Sequence, residues 1–238
     1  MFFLGTHMVN HCHSFKRSFV SVNRLRNRKY DFAVNDWIMD SGAFTEISTH
    51  GTYRHDTSEY VRQIERWRVC GNMLRAVTQD WMCEPFIVEK TGLTVLEHQK
   101  RTIHRYQQIQ TATNVKIMPV LQGYAKQDYL NHIDMYGTLL TNGIWVGVGS
   151  ICKRNSSIGQ IEDILTTIKR KRPDLRLHGF GLKITALSSA QVRDCLYSAD
   201  SMAWSFAARK RGRNSSDINE AKRFVKRIEN QHQQTKWC

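Results

Sequence analysis

Nowhere does this sequence run apolar for the length that a bilayer span requires. Its opening Met1-Phe-Phe-Leu-Gly5 is too short for the apolar region of a signal peptide. Both absences argue against a membrane partner or a secreted precursor, and a cytoplasmic protein is expected. A Cys-x-x-Cys pair is also missing: Cys12, Cys70, Cys83, Cys152, Cys195 and Cys238 stand apart, which fits reduced thiols better than a disulfide framework. The nearest approach to a metal-ligand cluster is His7, His11, Cys12 and His13, and no second ligand pair follows at finger-like spacing. No metal is therefore expected. Internal repeats and low-complexity segments are absent as well. Acidic residues are in short supply, with 21 Asp and Glu against 35 Lys and Arg, for a formal charge of +14 and a pI near 9.7. Such a surplus draws in polyanions at long range and holds phosphates, which points to nucleic acid as the partner.

What is present suits one domain spanning residues 1–238, with 41% hydrophobic residues and a mean hydropathy of -0.49. Short β-rich runs alternate with helical patterns throughout, the mark of βα units and a parallel sheet. The runs are Phe2 to Gly5, Phe19 to Leu25, Trp37 to Ser41, Arg75 to Asp80, Lys116 to Gln122, Ile144 to Ser150, Leu175 to Gly181 and Ser201 to Phe206. This pattern predicts an α/β fold, a single (β/α)8 barrel of TIM type.

Apolar spacing marks the helices between the strands. Tyr60, Ile64 and Trp67 share one face, as do Ile161, Ile164, Leu165 and Ile168; Leu130, Ile133, Tyr136 and Leu140 line another helix. Thr94 to Glu97 reads as a capping box, and Val192, Cys195 and Leu196 suggest a further helix. Residues 217–230 form a closing helix with Ile218, Ala221, Val225 and Ile228 facing inward. Just before it, residues 207–216 hold Arg209, Arg211 and Arg213 in a basic stretch that reads as a phosphate-holding loop.

In a β/α barrel the chemistry sits at the carboxyl ends of the strands. Four apolar runs end there in polar or glycine residues: Trp37 to Asp40 with Ser41 and Phe44 behind it, Val77 to Asp80, Met118 to Gln122 and Gly123, and Val146 to Ser150 with Gly147 and Gly149. A strand-end aspartate can equally cap a helix, and a glycine can serve only a turn. Two carboxylates, an amide and exposed backbone around one mouth nevertheless suit acid/base or nucleophilic work on a flat polar ligand.

Asp40-Ser-Gly-Ala-Phe44, Asp80 with Cys83 and Pro85, Gln122-Gly123, Gly147 to Gly149 and Gly179-Phe-Gly181 occur in the order of the signature segments of tRNA-guanine transglycosylases, which the chain resembles. Gln79-Asp-Trp-Met-Cys-Glu-Pro85, Leu177-His-Gly-Phe-Gly181 and Ser198-Ala-Asp-Ser-Met-Ala-Trp-Ser205 are more similar to the deazapurine DNA modification branch, the DNA-guanine transglycosylases. The resemblance implies cofactor-free exchange of guanine in DNA for a 7-deazaguanine, 7-cyano-7-deazaguanine or a relative, through a covalent sugar-aspartate intermediate. By residue, it implies Asp40 as general acid/base and Asp80 as reader of the base's amino edge. Gln122 and Gly123 read its carbonyl; Gly147, Gly149, Ser41 and Phe44 flank it. Asp200 is the candidate nucleophile, although an ungapped match to the tRNA enzymes falls on Ala203, and Asp40 with Asp80 as acid/base stays an alternative. His178 and Lys183 are candidate contacts to phosphate or the leaving base. The Cys-x-Cys-x-x-Cys plus His zinc subdomain of the tRNA enzymes is missing, which disfavours tRNA or another RNA as substrate. A catalytically inactive nucleic-acid-binding barrel is the alternative of a different class.

Overall fold

In the computed structural model, which describes residues 1–154 and 157–234, the strands are β1 (Phe2–Gly5), β2 (Arg17–Ser21), β3 (Asp36–Asp40), β4 (Asn72–Val77), β5 (Ile117–Met118), β6 (Val120–Leu121), β7 (Trp145–Val148), β8 (Arg176–Gly179) and β9 (Leu196–Ser201). All pairings are parallel, and β9 pairs with β1. The segments β5 and β6 are one run interrupted at Pro119, which has no N–H to give to a ladder. Thus β5 pairs with β4, β6 pairs with β7, and the Pro119 carbonyl accepts the Gly147 N–H at 2.8 Å. Counting β5 and β6 as one stave, the nine segments form a ring of eight.

Side chains alternate between the two faces of each strand. Phe3, Phe19, Ile38 and Trp145 fill the interior, while Leu4, Val20, Trp37, Met39, Val146 and Leu177 face the helices. Around the ring lie α1 (Ala43–His50), α2 (Thr57–Trp67), α3 (Pro85–Thr91), α4 (Val95–Thr111), α5 (Lys126–Tyr136), α6 (Ile158–Lys171), α7 (Ile184–Leu187), α8 (Ala190–Cys195), α9 (Ala203–Lys210) and α10 (Ile218–Gln234). The expected faces of α2 and α6 are buried, and Thr94 makes both bonds of its capping box with Glu97. On α10 the buried residues within 218–230 are Ala221, Phe224 and Ile228. The first two connections carry only 3₁₀ turns, Val9–Ser14 and Val22–Arg24. No helix among the described residues is long and apolar enough to cross a membrane.

Several boundaries differ from expectation. The second run, expected to extend from Phe19 to Leu25, is strand only to Ser21 before it turns. The last strand is Leu196–Ser201, not Ser201 to Phe206, and Ala203–Lys210 is helical. Ser198 and Asp200 place polar groups on the inner face of β9, which hides its apolar alternation. Trp204 and Ala208, four residues apart, give α9 a buried helical face. Arg209 therefore sits on a helix; the turn begins at Arg211 and passes through Gly212 at φ +66°. Leu196 belongs to β9, not to the preceding helix. Of the cysteines, Cys238 lies outside the described residues, and the other five are free thiols.

Candidate active site at the carboxyl end of the barrel

Asp40 is the last residue of β3, and its Oδ2 accepts the Gly42 N–H at 3.1 Å. Gly42 has φ +76°, and a Cβ there would lie 2.4 Å from Asn23 Nδ2, so the turn that folds back on the carboxylate needs glycine. Burial and then the charge of Asp200 push the Asp40 carboxyl up to about 6. Asp80 follows β4, and its Oδ2 accepts the amide N–H of Gln122. Burial and then the charge of Asp40 raise it to about 7. Asp200 reaches the same mouth from β9, buried, with Oδ1 accepting the Gly181 N–H at 3.0 Å.

Three carboxylates from β3, β9 and the segment after β4 thus meet at one end of the ring. The sequence also matches the family described as DeoxyPurine in DNA protein A, or DpdA, over residues 1–225. The chain belongs to this family. Membership makes it a protein of deazapurine DNA modification, with DNA as its substrate. A search among curated proteins found no match.

In this DpdA-family barrel, His178 does not reach nucleic acid, contrary to the sequence-based expectation. It is wholly buried inside the ring, stacked on Phe19 at 5.5 Å between centroids, with Nε2 3.3 Å from Asp200 Oδ1. Its Nδ1 lies 2.8 Å from Ser198 Oγ, which also accepts the Trp145 indole N–H at 2.8 Å. The reason is register. His178 pairs with Ser198, and alternation puts Ser198 and Asp200 on one face.

The glycines expected beside the base make room for side chains. A Cβ on Gly147 would lie 2.3 Å from the Phe180 ring, and one on Gly149 would lie 2.2 Å from Gln122 Nε2. Gly123 admits the start of α5, where a Cβ would lie 2.6 Å from Asp128 Cβ. Gln122 is gripped through its backbone: its N–H donates to His132 Nδ1 at 2.8 Å and its carbonyl accepts from Gln99 at 2.7 Å. Burial pushes His132 down to about 3, so its ring is neutral. Ser41 is fully buried behind Asp40.

Sequence reasoning gave no role to Glu84, Ser150, Ser198 or Trp145. Glu84 is 2% exposed, and its Oε2 lies 3.0 Å from Ser150 Oγ, which in turn lies 2.8 Å from Gln122 Oε1. Ser150 stands at φ +57°, a conformation unusual for a residue other than glycine, and its Oγ accepts the Cys83 N–H at 3.0 Å. The one sequence signal was the place of Glu84 and Ser150 in the strand-end segments; Trp145 begins β7 and Ser198 lies within β9, and neither carried one.

Beside Gly181, whose N–H holds Asp200, opens a cleft of about 700 Å³ whose lining includes Phe44, Lys153, Lys183, Met202, Phe206 and Arg209. Its lining pairs exposed aromatic with cationic side chains: Lys153 Nζ sits 4.5 Å from the Phe44 ring centroid, and Arg209 is 5.6 Å from that of Phe206. Arg211 and Arg213 point elsewhere, into an adjoining groove of about 450 Å³ bounded by α7, α9 and α10, where Arg213 pairs with Glu220 at 3.0 Å. Among the described residues no group of three or more His, Cys, Asp or Glu could hold a metal ion.

Proposed function

We propose that this protein is a DNA-guanine transglycosylase, a pentosyltransferase that exchanges guanine in DNA for a 7-deazaguanine. The observation that carries the reading is the set of three aspartates at one mouth, each with different support: Asp200 held by Gly181 and His178, Asp40 beside a glycine turn, and Asp80 joined to Gln122. A target nucleotide must leave the duplex to reach them. The aromatic and cationic rim offers surfaces for the flipped base, its neighbours and their phosphates.

With Oδ1 held, Asp200 attacks the anomeric carbon through its other oxygen as the C1′–N9 bond breaks. Those bond electrons pass to the base, which leaves as neutral guanine after taking a proton from Asp40. The incoming 7-deazaguanine then gives its N9 proton to the Asp40 carboxylate. Its N9 attacks C1′, and the C1′–O bond breaks to restore Asp200. A carboxyl near 6 can serve as acid and then as base at neutral pH. Asp80, ionised, accepts the base's ring N–H and amino group, and Gln122 faces its carbonyl.

Release of labelled guanine tests the reading, combined with nucleoside mass spectrometry of the polymer. Release from DNA with 7-deazaguanine incorporated is the expected result. Release from tRNA alone would move the activity to RNA, and DNA binding without release would leave an inactive barrel.

A further inference from the structure

We infer that Glu84 is a specificity-setting positioning residue: acting through Ser150, it fixes which way the Gln122 carboxamide faces, and so keeps Asp80 a pure acceptor toward the base. The inference rests on the proposed base exchange and concerns how the same site selects its base.

The argument is a count of hydrogens. Ser150 Oγ accepts the Cys83 N–H and lies within hydrogen-bond distance of both Glu84 Oε2 and Gln122 Oε1. One hydroxyl proton cannot serve two acceptors. The geometry closes when Glu84 is neutral. Glu84 donates to Ser150, Ser150 donates to Gln122 Oε1, and Gln122 Nε2 donates to ionised Asp80, as its placement against Oδ2 requires. The reverse arrangement also balances. Ionised Glu84 accepts from Ser150, the amide turns over so that Nε2 donates to Ser150, and Oε1 accepts from protonated Asp80. Each arrangement holds one proton on the Glu84–Asp80 pair, and every bond is made in both.

Only the first arrangement suits a guanine-type edge. Guanine and 7-deazaguanine present two donors, a ring N–H and an amino group, which an ionised carboxylate accepts. The second hydrogen on Gln122 Nε2 is then available to their carbonyl. In the reverse arrangement Asp80 carries a proton and the amide oxygen replaces that donor. An adenine-type edge, with an acceptor in the ring, is refused by the first arrangement.

Burial raises both Glu84 and Asp80 and so holds a proton on the pair; Asp40 raises Asp80 further while Lys153 and Arg154 oppose the rise on Glu84, a bias toward Asp80 that the Gln122 amide, placed with Nε2 against Asp80, works against. Cys83 on the same segment, Cys152 after β7 and Tyr129 on α5 also face Glu84. The left-handed backbone of Ser150 holds the hydroxyl at the junction of these groups.

Binding of 7-cyano-7-deazaguanine to the full chain, followed by calorimetry across pH, tests the relay. Unmodified protein is expected to lose affinity on the alkaline side, about tenfold per pH unit once Glu84 gives up its proton. Glu84→Gln donates an N–H to Ser150 and does not titrate there, so it should keep tight binding and lose that limb beyond the ligand's own titration. Ser150→Ala should weaken binding at every pH. An infrared carboxylic-acid band at neutral pH, lost in Glu84→Gln, reads the same proton without ligand. An alkaline limb that survives in Glu84→Gln, or binding lost there as in Ser150→Ala, overturns the relay alone. If the unmodified protein binds no 7-deazaguanine at any pH, the proposed exchange fails, and a missing infrared band would then remove the relay independently.

Discussion

His178 Nε2 lies 3.3 Å from Asp200 Oδ1, and the imidazole is enclosed by Phe3, Phe19, Trp145 and Phe180. Ser198 Oγ accepts the Trp145 N–H and lies 2.8 Å from His178 Nδ1, so Trp145, Ser198, His178 and Asp200 form one continuous chain of polar contacts. His178 thus positions the carboxylate without touching substrate. Substituting His178→Asn should lower kcat by about 10- to 100-fold with KM for DNA little changed, since carboxylate aim is lost and binding is not. Ser198→Ala, which removes the contact on the far side of the ring, should cost less. An unchanged kcat in steady-state assays of both variants would show that the Asp200 geometry does not depend on this chain.

In the proposed exchange, Asp40 and Asp200 divide the chemistry. Asp200→Asn should abolish a denaturation-resistant protein–DNA adduct, because an amide does not attack the anomeric carbon. Asp40→Asn should still form some adduct while turnover falls by about 10²–10⁴. The charge of Asp200 is one cause of the raised Asp40 pKa, so Asp200→Asn should move the Asp40 titration downward, below about 6. Carboxyl carbon NMR reads that shift. If the adduct survives in Asp200→Asn and disappears in Asp40→Asn, the nucleophile is Asp40.

Gly149 determines whether Gln122 can occupy its place. An added Cβ would fall 2.2 Å from Gln122 Nε2, which must then leave Asp80. Gly149→Ala should raise the KM for the incoming base by about tenfold or more while DNA affinity stays unchanged, as expected when a buried amide partner is lost. Adding Gln122→Ala to Gly149→Ala should cost little more. Strict additivity of the two in a double-mutant cycle would mean that they do not share this space.

The rim should bind DNA through stacking and charge together. Phe44→Ala and Phe206→Ala should each weaken single-stranded DNA binding by about 1–3 kcal/mol with the salt slope intact. Arg209→Ala should flatten the slope by about one counterion if Arg209 meets a phosphate. Arg211→Ala and Arg213→Ala, which line the neighbouring groove, should have smaller effects on the base-exchange step. Titrations at several salt concentrations separate the three contributions, and equal slopes throughout would remove Arg209 from the DNA path.

The alternation of apolar runs and helical faces was enough, from sequence alone, to predict the barrel and to draw Asp40, Asp80 and Gln122 to one mouth. Burial of Ile161, Ile164, Leu165 and Ile168 against the sheet follows directly from their spacing. The resemblance to deazapurine DNA modification proteins was legible in the same strand-end segments. Only the tertiary structure decided that β9 runs from Leu196 to Ser201, since periodicity records burial against apolar neighbours and the inner face of this strand is polar. Glu84 and Ser150 are 66 residues apart and Trp145 and Ser198 are 53 apart, so their meeting depends on which strands the barrel sets side by side. Local sequence carries no such information. The same closure took His178 away from the surface: its position at a strand end did not reveal on which side of the wall its ring would lie.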